Sequence, residues 1–103
     1  MSFSQVYTPD ELERAVAAAA AAGRATVLVV YRDRCRRTVA MLRELAREFV
    51  GRVDFYTADA RDVDDPDGDY PAVWGYDQSR YASEEPLDLR SRDALRAGIT
   101  ALL

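Results

Sequence analysis

The seven residues Ala25–Tyr31, ATVLVVY, constrain this chain most. Thr26 is the one hydroxyl-bearing side chain before the closing tyrosine, and β-branched residues dominate the run. A strand with one wet face alternates polar and apolar residues, so a run without alternation reads as a strand buried on both faces. Such a strand belongs in the middle of a sheet, with other layers of the fold covering it on either side.

The flanking segments have the patterns to supply those layers. Thr8-Pro9-Asp10-Glu11 is a compact helix start, with Thr8 able to cap, Pro9 suited to the first helical position and Glu11 three residues after the cap. The helix is expected to run to about Ala22 with Leu12, Val16 and the alanines one turn on facing inward. Gly23 is placed to end it in a left-handed conformation. After the polar turn Arg32-Asp33-Arg34, residues 35–50 carry Val39, Leu42, Leu45, Ala46 and Phe49 at helical spacing, with Gly51 as the stop. Residues 52–58, RVDFYTA, read as a further strand, and strand-helix-strand order implies a right-handed crossover between parallel strands.

The rest of the chain completes one domain, residues 1–103. Residues 3–6 form a short first strand. Asp59, Asp62, Asp64, Asp65, Asp67 and Asp69, with Pro66 and Gly68 among them, mark a solvated loop. Pro71 leads into the strand Ala72–Tyr76. Asp77-Gln78-Ser79 then turns into a partner strand at 80–83, and Pro86 lies beyond its end. Ser91 caps a last helix with Leu95, Ile99 and Leu102 inward. The expected architecture is α/β, in the order β-α-β-α-β-β-β-α, with a central mixed sheet flanked by helices.

Composition removes several chemistries. The 14 basic residues are all arginine against 18 acidic ones, a net charge of −4, and histidine and lysine are absent. Without histidine there is no Ser-His-Asp triad, no Cys-His dyad and no imidazole metal site. Without lysine there is no Schiff base and no P-loop. The acidic total disfavours nonspecific nucleic-acid binding. The aspartate-rich loop fails the calcium-loop pattern, because aligning Asp65, Asp67 and Gly68 places Val63 at the first ligand and Trp74 at the twelfth. No metal or other cofactor is expected. No stretch is long and apolar enough to span a bilayer, residues 1–5 lack the features of a signal peptide, and the single cysteine cannot make an internal disulfide. These points predict a cytoplasmic chain without membrane contact.

Cys35 is the candidate for chemistry. At the head of a helix, unpaired backbone N–H groups and the positive dipole end favour its thiolate, and Arg32, Arg34, Arg36 and Arg37 act in the same direction. Thiols in such settings titrate between roughly 3.5 and 7.5, below the free value of about 8.5, and attack disulfides or peroxides. Thr38, one turn along, can donate a hydrogen bond to the sulfur but cannot release a mixed disulfide. The opposing reading of Cys35 is a small, partly buried apolar residue without chemistry. The arginine run likewise reads either as an anion clamp, which would suit an acidic partner, or as a solvated turn. Trp74, Tyr76, Tyr70 and Tyr31 read as core aromatics more than as a binding platform.

Four segments in order resemble thioredoxin over almost the whole chain: VLVVYRDRC ending at Cys35, ELAREFVGRVDFYTAD ending at Asp59, YPAV beginning at Tyr70, and SRDAL beginning at Ser91. The resemblance implies a thioredoxin-like fold, with Cys35 as the first cysteine of the family's CxxC and Pro71 as its cis-proline. It also implies that the backbone of Tyr70 pairs with an extended substrate peptide. By itself an X-Pro bond reads as trans. The motif is degenerate, Cys35-Arg36-Arg37-Thr38, so a hydroxyl stands where the resolving thiol would be. Arg34 replaces the preceding tryptophan, and Val29 replaces a buried strand aspartate. Counting back from Gly51 instead would place Cys35 at the second cysteine and Arg32 at the first. Two functions follow from the resemblance. One is monothiol redox exchange on a protein partner, with Cys35 and Thr38 as the reacting site, Tyr70, Pro71, Arg34 and Arg36 as the docking surface, and an external thiol as reductant. The other is a redox-inactive interaction module that keeps the proline groove. Either suits a monomer or weak dimer.

Overall fold

A computed structural model describes residues 4–31, 36–62 and 71–103, and Arg36 only in its backbone. The chain order is β1 (Ser4–Val6), α1 (Pro9–Ala21), β2 (Ala25–Tyr31), α2 (Arg36–Glu48), β3 (Val53–Asp59), β4 (Ala72–Tyr76) and α3 (Arg92–Thr100). The aspartate-rich loop beyond Asp62 lies outside the described residues.

Local signals set the helix ends. Thr8 Oγ1 accepts a hydrogen bond from the Glu11 amide at 3.1 Å, which satisfies one of the amides that a helix start leaves unpaired. At the other end of α1, Gly23 has φ of +74°. There the Arg24 amide donates to the Ala19 carbonyl at 2.8 Å, and that of Gly23 to the Ala20 carbonyl at 3.0 Å. This paired closure needs a left-handed residue, which glycine supplies without a Cβ clash. Ser91 caps α3 in the manner of Thr8, accepting from the Ala94 amide at 3.0 Å.

The four described strands lie in the order β1-β3-β2-β4. β3 runs parallel to both β1 and β2, and β4 runs antiparallel to β2. β2 is thus interior, as its unbroken apolar run requires. Its side chains divide by parity: Val27 and Val29 join Leu42, Leu45, Ala46 and Phe49 from the α2 segment and Leu95 and Ile99 of α3. Leu28 and Val30 point the other way, with Val6 and Ala58, and Leu12 of α1 packs there. Helices therefore cover both faces. On α2 the burial is displaced slightly from the expected face: Thr38 is buried, and Val39 is only half-buried.

The expected strand at 80–83 is reduced to one bridge, Tyr76 to Ala82. Arg80 takes φ of +70°, outside the extended region. Asp77 Oδ1 draws the amides of Ser79 and Tyr81 inward at 2.8 and 3.0 Å, so a side-chain turn competes with the ladder. The segment still covers the outer edge of β4. The Ser83 amide donates to the Gly75 carbonyl and the Leu87 amide to the Val73 carbonyl, each at 2.7 Å. The Gly75 amide donates to Ser83 Oγ at 3.2 Å. Tertiary cover replaces a fifth strand, and the free edge is blunted without one.

Candidate functional site

Topology brings two expected site elements to one edge of the sheet. β2 ends at Tyr31 and α2 starts at Arg36, so α2 begins beyond the carboxyl end of an interior strand. β4 runs the opposite way, with Ala72 opposite Val30, so half-buried Pro71 opens it at that same edge. Ligands of open α/β sheets gather where strand connections diverge at the carboxyl ends. Cys35, Arg34 and Tyr70 lie outside the described residues, as does the Tyr70-Pro71 bond. The backbone of Arg36 is the first residue of α2, and Thr38 lies within its first turn.

Tyr31 and Asp59 are cross-strand partners at the ends of β2 and β3. Arg61 closes back on the Asp59 carboxylate, donating from Nε at 2.9 Å and Nη2 at 2.7 Å. Gln5 Nε2 donates to the Tyr31 hydroxyl at 2.9 Å. Burial, followed by the nearby Asp59 charge, raises the Tyr31 pKa and keeps the phenol protonated. Trp74 and Tyr76 pack against the apolar cluster on the α1 side, in keeping with a core role.

A cleft of about 720 Å³ lies beside the start of α2. Arg37, Thr38 and Met41 line it from α2, and Leu89, Ser91 and Arg92 from the start of α3. Ion pairs tie the two helices together: Arg92 pairs with Glu44, and Arg96 donates to the Glu48 carboxylate from Nε and Nη2, each at 2.8 Å. The Arg96 hydrogen bond holds the Glu48 carboxyl below its ordinary range. Thr38, read as a partner of the thiol, is only 9% exposed and lines this cleft. Ser91 and Arg92 are the lining residues that periodicity could not find. Ser91 was legible only as a cap, and a cleft between helices far apart in the chain has no local signal.

Among the described residues no group of histidine, cysteine, aspartate or glutamate could hold a metal ion, and no helix is long and apolar enough to cross a membrane.

No protein-family model matches the chain, and no curated protein matches it in sequence. Solved structures do match in shape. Trichomonas vaginalis thioredoxin superposes with a TM-score of 0.71 over 98% of this chain and 97% of its own, at 12% identity. The chain has a thioredoxin-like fold. A chain from the structural study of thiol resolution in yeast mitochondrial 1-Cys peroxiredoxin via glutathione/thioredoxin systems gives a TM-score of 0.71. It covers 97% of this chain and 95% of its own at 14% identity. A designed protein matches with a TM-score of 0.70 at 20% identity, over 96% of this chain and 90% of its own. Identities this low speak to the thioredoxin-like fold alone.

Proposed function

We propose that this chain carries out monothiol exchange: Cys35 forms a mixed disulfide with a protein partner, and an external thiol resolves it. One observation of placement supports the reading. The chain's single cysteine directly precedes α2, and α2 starts at the sheet edge where Pro71 opens β4. Helix-start amides and the neighbouring arginines favour the thiolate over the thiol. That thiolate attacks one sulfur of a partner disulfide, forming a Cys35–S–S–R bond while the other sulfur leaves as a thiolate. An external thiolate then attacks the partner's sulfur in the mixed disulfide and frees Cys35 as a thiolate. The partner sulfur departs in the new disulfide. Thr38 assists as a hydroxyl donor, Arg34 and Arg36 favour an acidic partner surface, and Tyr70-Pro71 docks an extended segment. The chain works in the cytoplasm as a monomer or weak dimer.

A second reading, a redox-inactive interaction module, is favoured by Val29. It occupies the strand position of the proton-accepting aspartate in the resemblance, and it is fully buried within the apolar cluster. The pH dependence of Cys35 alkylation by iodoacetamide separates the two. Thiol exchange requires a midpoint near about 6, whereas a midpoint of about 8.5 or higher removes it and leaves the module. Cys35→Ser is expected to fold as the parent does, and an unfolded variant would make the sulfur a packing group.

A further inference from the structure

We draw no further inference here: the strongest candidate, the groove between the start of α1 and the turn after β4 that is walled by Leu12, Val16 and Tyr76, is an unpartnered apolar face, and nothing in the structure shows what covers it.

Discussion

Thr26 offers the sharpest test of the core. It is 1% exposed on the interior strand β2, between Asp54 on one neighbour and Tyr76 on the other. Its Oγ1 is the one buried side-chain oxygen or nitrogen without a hydrogen bond among the described residues. An unpaired buried hydroxyl costs about 1–3 kcal/mol in lost hydration. Thr26→Val keeps the β-branch and nearly the shape, leaves the backbone ladder alone and replaces that hydroxyl with a methyl group. Taking the lower half of the range, because cores relax, the folded state should gain about 1–2 kcal/mol. For a domain of this size that is a rise of about 4–10 °C in Tm. In urea the midpoint should rise with an unchanged slope, since the surface exposed on unfolding is nearly the same. Thr26→Ser, which keeps the hydroxyl and opens a methyl-sized void, should lose about 1 kcal/mol. A Val variant with an equal or lower midpoint would mean that the hydroxyl is satisfied, and the argument from its isolation would fail.

Three further outcomes are expected. Val29→Asp buries a carboxyl within the cluster of α2 and α3, and should cost about 3–5 kcal/mol near neutral pH by chemical denaturation. Burial raises that carboxyl's folded pKa, so the loss should shrink as pH falls from that raised value toward the ordinary aspartate value of about 3.9 and level off below it; a pH-independent loss would point to sterics instead. Glu48 is the opposite case, its folded pKa lowered by the Arg96 hydrogen bond. The unfolded chain then binds more protons, so this contribution is present above about pH 4.3 and disappears as pH falls through the folded value. Arg96→Gln should flatten that part of the acid-stability profile, and an unaltered profile would remove the pair from the account. Ser91→Ala should cost about 1 kcal/mol in urea through loss of the α3 cap, and no change would show that water replaces the hydroxyl.

Much of the fold was legible because its signals are local. Thr8 and Ser91 bond amides three residues on, and Gly23 closes α1 through neighbours a turn away. Cys35, Arg34 and Tyr70 were legible as candidates by residue type and order. Their geometry lies outside the described residues, so the site is carried by Thr38, Pro71 and the start of α2. At 80–83 the composition suits a hairpin strand, but Asp77 and Arg80 bend the backbone there and leave a single bridge.

The sequence by itself determined that β2 is buried on both faces, that helices start and stop where they do, and that histidine and lysine chemistry is absent. Only the tertiary structure decided that β2 lies between β3 and β4, that α2 and α3 share one face, and that a cleft opens between their starts. The physical reason is range. A cap or a hydrophobic period is completed within a turn or two of chain. Strand order and the Glu44–Arg92 and Glu48–Arg96 ties depend on distant residues meeting, and that encounter is set by how the whole apolar surface packs.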